Sequence, residues 1–274
     1  MIEKGVLLFR TLERDPEQWY YLYCPPAPAK GIVVSVHGIS LNANSHAKYF
    51  LPYAEANRYI LVVPLFARDR YMDYNVLGLS AEGHRADKVF NEIMDEVCRS
   101  TGSSDSSINL CGYSAGAQFA HRYALCYPEK IRRLVLCSPG YYTMPNSEPW
   151  PLGLNGLTEL SGMKIDLREF LSIPTLLTVG EKDTLRNASL LQTDEIDHIQ
   201  GMNRIERAKT WFEAVQKVSR DLGIPDVHYF KLLPGVGHGF EATAEKTSML
   251  DDIFCFLEMP DIVYKPQQEI TLSN

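Results

Sequence analysis

Short β-branched runs alternate with stretches of helical period along most of the chain, the pattern of a mostly parallel sheet covered by helices on both faces. The uncharged core of GIVVSVHG (31–38) and the run YILVVPLF (59–66) read as buried central strands. SINLCGYSAG, IRRLVLCSPG, IPTLLTVGEKD and VHYFKLLPG read as further strands, each running into a glycine-bearing turn. Two N-terminal runs, GVLLFR and WYYLYCP, are expected to pair antiparallel at one edge, which brings the sheet to about eight strands. Helices are expected from Ser80, with Glu82 in the first turn and Val89, Phe90, Ile93, Met94 and Val97 on one stripe, and over 115–125. A third carries Ile205, Ala208, Trp211, Phe212, Val215 and Val218 on one face, and a last one spans 244–257.

One stretch breaks the alternation. Residues 139–172 have no strong period and are rich in glycine, proline and aromatics. A connection this long inside a compact domain is usually functional, and its aromatic content argues against disorder. The segment is expected to form a partly ordered cap over the C-terminal edge of the sheet, as an insertion in a single domain spanning 1–274.

Composition narrows the function classes. The 274 residues are 45% hydrophobic and 22% charged, ordinary for a globular chain, and the net charge of −7 with no basic cluster beyond Arg132-Arg133 argues against a nucleic-acid partner. The apolar N-terminal run, Val6 to Phe9, is too short for a signal-peptide core, and no run approaches the ~20 residues of a membrane span. Six scattered cysteines without a C-x-x-C pair read as buried thiols in a reducing compartment, which points to a cytoplasmic protein, monomeric or homodimeric. No metal-ligand spacing, phosphate loop or dinucleotide fingerprint is present, so no cofactor is expected.

In an open parallel sheet, ligands bind outside the C-terminal ends of the strands. Those ends carry His37-Gly38-Ile39-Ser40, Gly112-Tyr113-Ser114-Ala115-Gly116, Gly180-Glu181-Lys182-Asp183, and Gly235-Val236-Gly237-His238-Gly239. The pattern Gly-x-Ser-x-Gly alone arises by chance in roughly one chain in ten of this length, given glycine at ~7%. A serine that merely caps a helix would explain it too. Together, however, the four turns supply a serine, an acid and a histidine at one edge in the order Ser, Asp, His, the order expected for a nucleophile elbow. Ser114 needs a base, since a hydroxyl is a weak nucleophile at neutral pH. His238, alone between glycines after the last strand, is the candidate, because imidazole takes and returns a proton near neutrality. Of the other histidines, His84 and His121 fall in expected helices, His198 in a polar stretch and His228 at a strand start. Asp183 is the candidate orienting acid, with Glu181, Asp194 and Asp197 as competitors. The N–H of Ala115 is one candidate oxyanion donor.

On these residues the chain resembles the α/β-hydrolase superfamily along essentially its whole length. GYYTMP after a strand, GHRAD opening a helix and QGMNRIERAKTWF before the last strand make it similar, within that superfamily, to bacterial esterases of the poly(3-hydroxybutyrate) depolymerase-like group. The resemblance implies a serine hydrolase acting on carboxylic esters, with Ile39 N–H as the second oxyanion donor and His37 bracing its turn. A peptidase or amidase on the same residues, or a hydrolase-fold binding protein with little turnover, are the alternatives. Tyr113, Tyr141, Tyr142, Met144 and Trp150 are candidate substrate contacts. Arg204 is a candidate for a polar or anionic substrate group, or else a salt bridge at a helix start.

Overall fold

The computed structural model describes residues 2–79, 84–105 and 107–260. Its centre is an eight-stranded sheet: β1 (Leu7–Leu12), β2 (Asp15–Tyr23), β3 (Gly31–Val36), β4 (Tyr59–Leu65), β5 (Ile108–Tyr113), β6 (Ile131–Cys137), β7 (Thr175–Gly180) and β8 (His228–Leu233), in the spatial order 1-2-4-3-5-6-7-8. The pairs β1–β2 and β2–β4 are antiparallel, and every pair from β4 to β8 is parallel. The strand order reverses at β3, so the turns after β3 and β5 flank a topological switch point, the place where such sheets bind ligands.

Every residue of β3, β5 and β7 is buried, which is why these strands read as continuous apolar runs. Alternate side chains enter two cores. Ile32, Val34, Ile60, Val62, Leu110 and Leu134 face one side, and Val33, Leu61, Cys111 and Val135 face the other. Helices α1 (Ala43–Asn57), α2 (Ala86–Thr101), α3 (Ala115–Cys126), α6 (Asp194–Gln200) and α7 (Arg204–Asp221) lie between strands, and α4 (Leu157–Ser161) and α5 (Leu167–Leu171) are single short turns. Among the described residues no helix is long and apolar enough to cross a membrane, and the six cysteines form no disulfide.

Two expectations change. The helix expected from Ser80 begins, among the described residues, at Ala86, with Asp87 as the acid of its first turn; His84 precedes it, and Ser80 and Glu82 lie outside the described residues. The final helix is two: α8 (Phe240–Lys246) and α9 (Met249–Leu257). Thr247 and Ser248 divide them, because Met249 N–H donates to Thr247 Oγ1 and Ser248 Oγ bonds Asp252 rather than allowing a continuous ladder. Segment 139–172 is the crossover from β6 to β7, and a parallel crossover must return to the opposite edge. Gly140 and Tyr141 stand at the C-terminal cleft, whereas Arg168 and Glu169 of α5 border a groove with Ile131, Pro174 and Val227 where strands begin.

Candidate active site

Ser114 sits between the last residue of β5 and the first of α3 with φ 55° and ψ −116°. A non-glycine residue held there stores strain on the order of 1–3 kcal/mol. The flanking glycines are required by proximity, not by φ. A Cβ on Gly112 would lie 2.2 Å from the carbonyl oxygen of Gly116, and one on Gly116 would lie 2.1 Å from that of Val36. Strand, helix and the neighbouring β3 therefore meet at van der Waals limits, and the turn has room for its side chain only on the outer side.

The sheet edge brings the three sequence candidates together. His238 Nε2 lies 3.0 Å from Ser114 Oγ, and His238 Nδ1 lies 2.8 Å from Asp183 Oδ2. Asp183 is 1% exposed and is placed by a turn in which its N–H donates to Gly180 O. Of its competitors, Asp197 pairs with Arg186 and Arg207, while Glu181 accepts from Gly235 N–H. The turn after β3 passes close beside the serine: a Cβ on Gly38 would sit 3.3 Å from Ser114 Cβ. Ile39 and Ala115 border the same cleft of about 270 Å³ as Ser114.

His37 has no access to that cleft. Its Nε2 accepts from Phe66 N–H at 3.0 Å, so the proton resides on Nδ1, which donates to Gly38 O at 2.8 Å. Burial pushes its pKa down to about 4, and burial likewise holds His46 and His121 well below the ordinary imidazole value. These rings are neutral in the folded chain and protonate near pH 6.5 once unfolded. Their contribution to stability is therefore complete above about pH 6.5 and falls away as the pH drops towards 4. For His37 the loss over that interval is about 3 kcal/mol, with His46 and His121 acting in the same direction. Urea unfolding at pH 7 and pH 5 is expected to show a much lower midpoint at pH 5; equal midpoints would contradict the neutral rings.

The substrate-contact candidates separate. Tyr141 borders the cleft. Tyr142 and Met144 do not: both are buried in the main core, Tyr142 stacked on Trp211 with centroids 5.1 Å apart. Trp150 packs partly buried against that core, near the Arg122 guanidinium. Tyr113 projects beneath the site, its hydroxyl 3.3 Å from Thr243 Oγ1, and burial raises its pKa to about 12. Arg204 is wholly buried and donates to Asp183 Oδ1 at 3.2 Å and to Ser189 O at 2.8 Å. It is a support for the acid, not a cleft residue.

The remaining walls come from places not singled out in the sequence: Met72, Tyr74 and Asn75 after β4, Ala188, Ser189 and Leu191 after β7, and Gln118 on α3. Gln118 follows Ser114 by four residues, the spacing that puts two positions on one face of a helix. Arg207, also buried, donates to Gly140 O at 2.7 Å and Leu191 O at 2.9 Å, and Arg122 donates to Asn75 O at 2.7 Å.

The chain has the α/β-hydrolase fold: a profile of that fold matches residues 31–156, and solved structures of hydrolases superpose on nearly all of it. A poly(aspartic acid) hydrolase-1 from Sphingomonas sp. KT-1 is similar with a TM-score of 0.77 and 22% identity, over 92% of this chain and 100% of that one. A poly(3-hydroxybutyrate) depolymerase from Bordetella parapertussis is similar with a TM-score of 0.74 and 23% identity, over 94% and 92%. An S-formylglutathione hydrolase from Agrobacterium tumefaciens gives 0.62 and 14%, over 92% and 94%. Comparison with curated protein sequences gave no match.

Proposed function

We propose that the protein is a serine hydrolase that cleaves carboxylic esters through an acyl-enzyme. The observation that supports this reading is the hydrogen-bonded chain Asp183–His238–Ser114, built from the ends of three strands at one cleft. His238 Nε2 takes the Ser114 proton as Oγ bonds to the ester carbon and the carbonyl electron pair moves onto oxygen. The N–H groups of Ala115 and Ile39 are the donors for that oxyanion. Collapse expels the alcohol, which carries away the proton from His238, and water repeats the sequence to release the acid. Asp183 holds the imidazole with its proton on Nδ1, so that Nε2 faces Ser114 as an acceptor.

The test is covalent. A fluorophosphonate probe is expected to label the wild-type protein stoichiometrically at Ser114 and to leave Ser114→Ala unlabelled. Labelling that persists in the variant would remove the assignment. A panel of p-nitrophenyl esters then separates an enzyme, which turns over continuously, from a binding protein, which would release one equivalent and stop.

A further inference from the structure

Gln118 lies one helical turn beyond Ser114 and borders the same cleft. Its side-chain oxygen is committed: Asn75 Nδ2 donates to Oε1 at 3.1 Å, and Arg122 Nη1 donates at 3.2 Å. With two donors on that side, the amide cannot turn over, and Nε2 must point the other way. Among the described residues Nε2 has no acceptor, and it is not sealed from solvent, Gln118 being 7% exposed. Gly140 leaves it uncovered, since a Cβ there would lie 2.9 Å from Nε2. Arg122 is wholly buried, and no carboxylate pairs with it among the described residues; its other bonds go to Thr143 Oγ1 and Asn75 O. A desolvated cation donating to Oε1 polarises the amide and strengthens Nε2–H as a donor.

We infer that Gln118 Nε2 is a substrate-recognition donor, and that the preferred esters carry, besides the scissile carbonyl, a second oxygen acceptor within reach of it. This rests on the ester-hydrolase reading. The Arg122–Gln118 relay gives the cleft a fixed donor with no charged side chain of its own at the surface. An ester with methylene at that point leaves the donor unpaired once water is displaced, which is the penalty that makes such sites discriminate.

The experiment compares matched esters that differ by one oxygen. On the acyl side the pair is p-nitrophenyl 4-oxopentanoate and p-nitrophenyl pentanoate; on the alcohol side it is 2-methoxyethyl butyrate and butyl butyrate. Each kcat/KM ratio is divided by the ratio for hydroxide hydrolysis. The wild type is expected to favour the oxygenated member of one pair by roughly 3- to 10-fold, and that pair identifies the side of the ester on which the acceptor lies. Gln118→Glu retains an oxygen for Asn75 and Arg122, so it preserves the packing but removes the donor. Its ratio is expected to fall to one or below, with Gln118→Leu behaving likewise. A preference unchanged in Gln118→Glu overturns the inference, as does a wild type that hydrolyses both pairs without preference; the hydrolase reading survives in either case. Hydrolysis of none of the four esters overturns both.

Discussion

Ser114→Ala is expected to lower kcat/KM for a p-nitrophenyl ester by about 10⁶-fold, the scale seen when a serine hydrolase loses its nucleophile. The cleft, the donor turn at Ile39 and the imidazole stay in place, so a residual acceleration of about 10³–10⁴ over water should remain. Alanine at this position removes the attacking oxygen and nothing that holds the fold, because among the described residues the serine side chain bonds only His238 and its backbone bonds, N–H to Cys137 O and O from the N–H groups of Ala117 and Gln118, are unaffected. Thermal unfolding should therefore be nearly unchanged while turnover collapses. A loss of less than 100-fold would assign the chemistry to another group.

Asp183→Asn is expected to cost about 10⁴-fold in kcat, and the reason is specific to this chain. Both neighbours of the carboxylate are donors: His238 Nδ1–H at Oδ2 and Arg204 Nη1 at Oδ1. Asparagine offers one oxygen and one NH2. Arg204 is charged and wholly buried, so depriving it of an acceptor is the more expensive choice, and the amide oxygen should turn towards it. The NH2 then faces His238 Nδ1, which must become an acceptor and carry its proton on Nε2. That tautomer presents N–H to Ser114 and cannot take its proton. The measurement is kcat of the variant beside its fold, followed by circular dichroism. A variant within tenfold of wild type would mean that Asp183 does not set the tautomer.

The strand ends were readable because chemistry and fold share a signal there. Apolar runs ending in glycine located the turns, and Ser114, Asp183 and His238 were the residues they displayed. The rest depended on contacts that periodicity does not carry. Helix α1 contains Pro52 and has no acid in its first turn, so its local signals were poor. Arg204 is polar by composition, but its burial depends on Asp183, which meets it from the turn after β7. Tyr142 and Met144 follow directly on Tyr141, yet one residue of displacement along the chain sends them into the core while Tyr141 stays at the cleft. Met72 and Asn75 were missed because residues 66–75, which follow β4 directly, carry no glycine to mark a turn and no recognisable motif. Segment 139–172 read as a cap from its composition; only topology shows that it must travel the depth of the sheet.

Arg122, Arg204 and Arg207 each grip a backbone carbonyl of the cleft rim, at Asn75, Ser189, and Gly140 with Leu191. A guanidinium keeps its proton through the whole range in which imidazole titrates. The frame of the binding site is thus fastened by groups indifferent to acidity, while the core behind it depends on histidines that are not. Acid is therefore expected to weaken the core before it weakens these carbonyl bonds, so a change in the shape of the cleft should follow the loss of core stability rather than precede it.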